Sequence, residues 1–550
     1  MRALRPQAFL LLILPLAAQT FHPGPQFATF VSSVDDSEQP YALYVPKGLD
    51  AAKKYPLVIS LHGEDSNHRI NLLQLFGKGN LVLERAPVAN RLFPPLPDVN
   101  YIVAAPLARG TMGYRGIAEQ DVYDLLSDLQ KRLPIDPDRI YLTGAAMGGG
   151  GALWLGLTRP DVWAAIAPVC PEPPLGTEDL AANALNLPVR LFHGELDTAV
   201  SVEDSRRWNR DLLRLSTPVE YTEYPMARHN AWDFAYKDAA IFRSFDSFRR
   251  NRFPARVRFV TSRYRYASAY WVRIDELEPG APASIDAKFT APNALAVNTS
   301  NLRGFTLLLS GHPSFFSAKA SSFTIDGQKV RAGRSASPSF IKTGKGWQAG
   351  LATIPPGRKR PGAEGPISEA VAGRQIYVYG TAGTSSIDDV TARRAVAQQA
   401  AEWSTPRHPL RLSFPVLSDK EVQQRDAANA NLILFGDKDN NEWIARLAGR
   451  LPIALNPSAA DYGLLFVFSV GGRYVLIDSG LPWWTGGEEA NRPGLPFVPL
   501  RYRLLLSFGD YILFKGSLDN VVAQGIFTND WKIAPADLEK MKKTGAISEP

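Results

Sequence analysis

The stretch Tyr141 to Gly156, YLTGAAMGGGGALWLG, reads as a buried strand, a glycine-rich sharp turn and a helix. Such a turn, in the frame G-x-S-x-G, lifts a serine hydroxyl to the top of a sheet for attack on a carbonyl. Here the frame is Gly144-Ala145-Ala146-Met147-Gly148, and Ala146 occupies the nucleophile position without a hydroxyl. Downstream, Asp197 closes the strand-like run PVRLFHGELD. His229 lies in a loop after the next such run, VEYTEYP. Nucleophile position, acid, then histidine is the chain order of an acyl-transfer triad, in which the acid orients the histidine and the histidine moves the proton.

Other parts of that chemistry depend on backbone alone. Gly144 and Gly148 permit the strained turn and a close strand–helix approach. The N–H of Met147, at the start of the helix, is expected to face the position of a carbonyl oxygen. The run YPLVISLHG ends at Gly63, and the N–H of Glu64 just after it is the candidate second donor. An alanine at 146 leaves both donors in place and removes only the atom that would form an acyl intermediate. Three residues are weighed as substitutes. Thr143 is expected in sheet packing, Cys170 as a buried structural thiol, and Ser66 stands near the oxyanion side by position alone. His229 activating water directly is a fourth route.

These residues need a scaffold. Apolar runs at 55–63, 100–106, 138–144, 163–170, 188–197 and 219–225 alternate with helical segments at 120–133, 151–160 and 201–215. Strands apolar on both faces between helices predict a mostly parallel sheet covered on both sides. Site residues of such sheets collect past the carboxyl ends of the strands, where Gly63, Ala146 and Asp197 fall.

The segments YALYVPKGLDAAKKYPLVISLHG, DPDRIYLTGAAMGGGGALWLG, HGELDTAVSVEDS and RHNAWDFAY resemble secreted α/β-hydrolases of the esterase and prolyl-oligopeptidase-like group, including polyhydroxybutyrate-depolymerase-type and feruloyl-esterase-type proteins. The resemblance covers about Tyr41 to Phe248. It implies an α/β-hydrolase fold with carboxylesterase or serine-peptidase chemistry. The chain departs from the group at Ala146, where serine is usual, and at Arg228, where a small residue usually precedes the histidine. Three readings follow: a pseudoenzyme that binds an ester, peptide or glycan-linked small ligand; a serine hydrolase carrying a Ser-to-Ala change; or an active hydrolase using water or another nucleophile with Asp197 and His229.

Beyond the hydrolase-like part, residues 255–342 alternate like a β-rich module, and 343–371 read as a loop rich in Gly, Pro and basic residues. Residues 372–550 read as a further α/β unit, after a hydrolase domain at 25–250. Residues 1–19 have Arg2 and Arg5, an apolar run from Ala8 to Ala18 and then small residues. This is the layout of a signal peptide, and it predicts a secreted or periplasmic protein with no integral membrane segment after its removal. The turn after Gly436 is too poor in glycine for a phosphate loop. Tyr264, Tyr266 and Tyr270 share parity in a strand-like run beside Trp271 and are read as a core face, as are Pro482–Trp484 and Trp531.

Composition bounds the rest. With 550 residues, 45% apolar and 21% charged, the chain is globular, and a single cysteine permits no internal disulfide. A net charge of +7 is spread too thinly to imply a nucleic-acid partner. Seven histidines without paired His/Cys spacing give no metal site, and no cofactor motif is present. The oligomeric state is not encoded in any pattern found.

Overall fold

A computed structural model describes residues 20–78, 93–384, 386–404, 410–487 and 500–548. The expected leader, residues 1–19, lies outside them. The apolar runs of the first half form one eight-stranded sheet: β1 (Gly24–Val31), β2 (Glu38–Val45), β3 (Tyr55–Leu61), β4 (Ile102–Pro106), β5 (Ile135–Ala145), β6 (Ala165–Val169), β7 (Val189–Gly194) and β8 (Val219–Tyr224). The spatial order is β1-β2-β4-β3-β5-β6-β7-β8. The β1/β2 and β2/β4 pairs are antiparallel, and every pairing from β4 to β8 is parallel. This is the α/β-hydrolase topology. Strands β3, β4 and β6 are buried throughout, and β5 is buried from Ile140 onward, because helices such as Ile117–Arg132 and Met147–Thr158 cover the sheet. The sequence pattern gives no strand reading for β1, which opens on Gly24 and Pro25, buries only Ala28 and Phe30 and lies at the sheet edge.

Two five-stranded sheets follow. One runs Ser268–Ala269, Val272–Leu277, Leu302–Leu307, Ser339–Thr343, Gly346–Ala349. The other runs Gln328–Val330, Ser322–Ile325, Ala294–Ser300, Ala283–Ala291, Arg256–Thr261. Their inward residues, among them Phe259, Ile274, Ile285, Val297, Phe305 and Phe340, share one core. Gly346–Ala349 is a strand within the segment expected as a loop, since Trp347 buries its indole there. The tyrosine run also differs from expectation. Tyr264–Tyr266 is a short 3₁₀ turn rather than a strand, because the amides of Tyr264 and Arg265 donate to the two Glu364 carboxyl oxygens instead of a neighbouring strand.

The last sheet has seven strands, ordered Val416–Ser418, Gln375–Tyr379, Asn431–Phe435, Arg473–Gly480, Tyr462–Val470, Tyr511–Lys515, Val521–Gly525. The first four are parallel and the remainder antiparallel. Trp483 and Trp484 pack in its core, and Trp531 is buried beside Phe468.

This unit is fastened to the hydrolase sheet by buried charge. Arg109, fully buried, donates to Asp121 at 2.5 Å, Asp35 at 2.9 Å and the carbonyl of Arg411 at 2.7 Å. Glu119, on the helix Ile117–Arg132, accepts from Tyr266 at 2.7 Å and from Trp154 at 3.0 Å. One carboxylate thereby joins the sandwich to the helix that follows Ala146.

Candidate active site

The turn between β5 and the helix Met147–Thr158 has the geometry of a nucleophile elbow. Ala146 sits at φ 51°, ψ −117°, a positive-φ conformation that costs a non-glycine residue about 1–3 kcal/mol. Its neighbours hold it there. The Ala146 N–H donates to the Val169 carbonyl at 2.9 Å, and its carbonyl accepts from Gly150 at 2.9 Å and Glu172 at 3.3 Å. Gly148 is a glycine because the backbone of β3 passes across it. A Cβ there would collide with Leu61 and stand 2.7 Å from the His62 oxygen. Gly144 faces the same constraint, with the Leu61 oxygen 2.7 Å from where its Cβ would be.

That close approach brings the loop after β3 to the elbow. A Cβ on Gly63 would lie 3.6 Å from the Ala146 methyl. The loop is held by His62, buried between the carbonyls of Gly63 at 2.7 Å and Leu107 at 2.9 Å, and by the Tyr114 hydroxyl, which donates to the His62 carbonyl at 3.0 Å. Glu64 follows directly. Met147 opens its helix, so its N–H has no partner one turn earlier. Burial raises the Glu64 carboxyl above its ordinary value, and the charges of Asp65 and Glu172 add to the effect.

Two strands away, Asp197 and His229 meet. His229 Nδ1–H donates to Asp197 Oδ2 at 2.8 Å, which leaves Nε2 as the basic nitrogen. Asp197 Oδ1 accepts from the amides of Ala199 at 2.9 Å and Val200 at 3.0 Å. Burial by itself would raise the Asp197 carboxyl, but the bonds from His229, Val200 and Ala199 hold it below the usual carboxylate range. The His229 loop is tied to the end of β7, since Leu196 N–H donates to the Ala227 carbonyl at 2.9 Å. Gly194 leaves room for that crossing, because a Cβ there would lie 2.6 Å from the Ala227 oxygen. Arg228 has an exposed side chain, so the departure from a small residue does not intrude on the pair. Trp232 packs edge-on against the His229 ring with centroids 5.4 Å apart.

His193 completes the acid's surroundings and was not singled out in the sequence. Its Nε2 lies 3.2 Å from both Asp197 Oδ2 and the Val200 carbonyl, and its Nδ1 is 2.7 Å from the Ser205 hydroxyl. A polar residue inside the apolar run PVRLFHG was the available signal. Cys170, His193 and Asp197 have donor atoms within 4.8 Å of one another, close enough to share an ion. The donor chemistry does not fit one. His193 Nε2 must carry its proton to serve two oxygen acceptors, and burial pushes the Cys170 thiol up to about 12.

The substitute nucleophiles are placed as follows. Cys170 Sγ, buried, points at the His229 carbonyl at 3.6 Å. Thr143 Oγ1 donates to the Ala167 carbonyl at 2.6 Å and contacts the Tyr236 hydroxyl at 2.8 Å, so it belongs to the sheet packing. Ser66 lies in the turn beyond Glu64, its N–H donating to Gly63 at 3.3 Å. Among the described residues no helix is long and apolar enough to cross a membrane.

No family model matches the chain. Among solved structures it is similar to a thermostable esterase, 27% identical, covering 41% of this chain and 63% of that one at a TM-score of 0.33. It is also similar to a CE1 ferulic acid esterase from Anaeromyces mucronatus, 18% identical, covering 42% and 92% at a TM-score of 0.31. Dipeptidyl peptidase 4 from Porphyromonas gingivalis is 16% identical, with 41% and 36% covered and a TM-score of 0.30. The chain therefore spans less than two thirds of the thermostable esterase and of that peptidase.

Proposed function

We propose that this protein is an exported α/β-hydrolase-fold pseudoenzyme of carboxylesterase or serine-peptidase type, one that binds an ester, peptide or glycan-linked ligand at the elbow without turning it over. One observation carries the reading. A methyl group occupies the strained elbow position after β5, while the Asp197–His229 pair past the end of β7 is assembled at 2.8 Å. Met147 and Glu64 are assigned as oxyanion donors, His229 as the base and Asp197 as its orienting acid. Loss of a triad nucleophile lowers turnover by on the order of 10⁶-fold, while donors and binding contacts retain part of the catalytic power.

The test is hydrolysis of short-chain aryl esters by the chain as it stands and by Ala146→Ser, each with and without His229→Ala. The reading expects an inert native chain and an Ala146→Ser variant whose activity disappears with His229→Ala. Turnover by the native chain that depends on His229 would replace it with a water-based or alternative-nucleophile mechanism. Inactivity of Ala146→Ser would refute an intact site.

A further inference from the structure

A cavity of about 140 Å³ opens between the helix Met147–Thr158, the sandwich strand Arg256–Thr261 and the loop that enters the 3₁₀ helix Glu178–Asn186. Its apolar wall includes Trp154, Leu175, Leu180 and Val260. Three charged residues line it: Arg115, Asp179 and Arg263. The Arg115 guanidinium stacks on the Trp154 indole, 4.7 Å from the ring centroid. Arg115 is partly exposed and Asp179 is exposed, so a ligand can reach both. No Arg115 N–H finds an acceptor among the described residues, and the Asp179 carboxylate finds neither a side-chain donor nor a cation among them. Two opposite charges therefore face one small space without pairing.

The neighbouring charges are already matched. Arg263 donates to Glu369 at 2.9 Å and to the Ser368 hydroxyl at 3.2 Å, and Arg265 reaches the other Glu369 oxygen at 3.5 Å. Glu119 accepts from Trp154 at 3.0 Å and Tyr266 at 2.7 Å, and its other oxygen lies 3.9 Å from Arg265 Nε. Glu364 takes the amides of Tyr264 and Arg265. Burial would lower the Arg263 guanidinium, yet the Glu369 charge carries it above its ordinary value. Burial and the Arg263 charge instead hold Arg115 below its own. A simple anion on Arg115 would face Asp179, and a simple cation on Asp179 would face Arg115. A zwitterion satisfies both, since a carboxylate matches the guanidinium fork and an ammonium donates to a carboxylate. The volume lies below the usual range for ligand pockets and limits the occupant to a few heavy atoms. We propose that this cavity binds a small aliphatic amino acid as its zwitterion, with the carboxylate on Arg115, the ammonium on Asp179 and the carbon chain against Leu175, Leu180 and Val260. The site is separate from Ala146 and does not rest on the function proposed for the elbow.

The test titrates the full chain with glycine, L-alanine, L-valine and β-alanine, read by saturation-transfer NMR and calorimetry. Propionate and n-propylammonium, each carrying one of the two charges, are the comparison probes. At least one amino acid is expected to bind with a Kd on the order of millimolar, and both comparison probes more weakly. Asp179→Asn, on the exposed rim, is expected to weaken amino-acid binding about threefold or more at unchanged Tm. Arg115→Met keeps an unbranched stem over Trp154 and is expected to weaken it at least about tenfold. Thermal unfolding checks that each variant is folded, and Asp179→Asn decides alone if Arg115→Met is not. The proposal is overturned if no amino acid binds, if propionate or n-propylammonium binds as tightly, or if either folded variant leaves the affinity unaltered.

Discussion

Asp197 Oδ2 lies 2.8 Å from His229 Nδ1, joining a side chain with no exposure to a ring that is 30% exposed. The buried partner fixes the tautomer, and in the proposed function the exposed one meets the ligand. In an Ala146→Ser background, Asp197→Asn is expected to lower kcat/KM by on the order of 10⁴-fold, since an amide cannot hold the same tautomer. Cys170→Ala in that background is expected to leave activity within about threefold, because its thiol is buried and kept protonated. Steady-state kinetics on one aryl ester separate the two, and a large loss in Cys170→Ala would mean the thiol takes part.

Gly148 marks the tightest approach of helix and sheet at the elbow. Gly148→Ala drives a methyl into the backbone of Leu61 and His62, neither of which is a flexible side-chain end. A loss of about 1–3 kcal/mol or more is expected by urea denaturation. Gly48→Ala, with nothing within 4 Å of its Cβ, is the control and is expected within about 0.5 kcal/mol of the native chain.

The Tyr266 hydroxyl reaches across the domain boundary to Glu119, whose same oxygen also accepts from Trp154. Tyr266→Phe removes a donor to a buried carboxylate and is expected to cost about 1–3 kcal/mol of unfolding free energy. Because Trp154 lies on the helix that begins at Met147, hydrogen exchange in residues 147–158 is expected to quicken in this variant. A neutral Tyr266→Phe would show that the carboxylate finds another donor.

Glu364 sets a pH dependence. Burial, reinforced by the charge of Glu369, pushes its carboxyl from 4.5 to about 8. The folded protein therefore holds a proton that the unfolded chain releases above about pH 4.5. The associated stability is full below that value and is lost as pH rises through about 8, by at most about 1.4 kcal/mol per pH unit. Urea titrations at several pH values from 5 to 8 should show this fall, and Glu364→Gln should flatten it. An equal slope in the variant would place the titrating group elsewhere.

The local chemistry was legible in the sequence because it is written in local patterns. The frame around Ala146 combines a strand period, a glycine pair and a helix start within one short segment, and the backbone there has few alternatives. Chain order then made Asp197 and His229 candidates, since parallel strands separated by helices leave their carboxyl ends on one edge. The tertiary structure alone decided what surrounds that frame. His193 joins Asp197 only because the turn after β7 folds back on its own strand. The tyrosine run has the period of a strand but forms a turn, because Glu364, about 100 residues away, captures its amides. Tyr266 and Glu119 are 147 residues apart, and no periodicity records such a contact. Periodicity reports which face of an element is apolar, whereas the partner of a buried polar group is chosen by which elements pack together, and that choice is made by the whole chain at once.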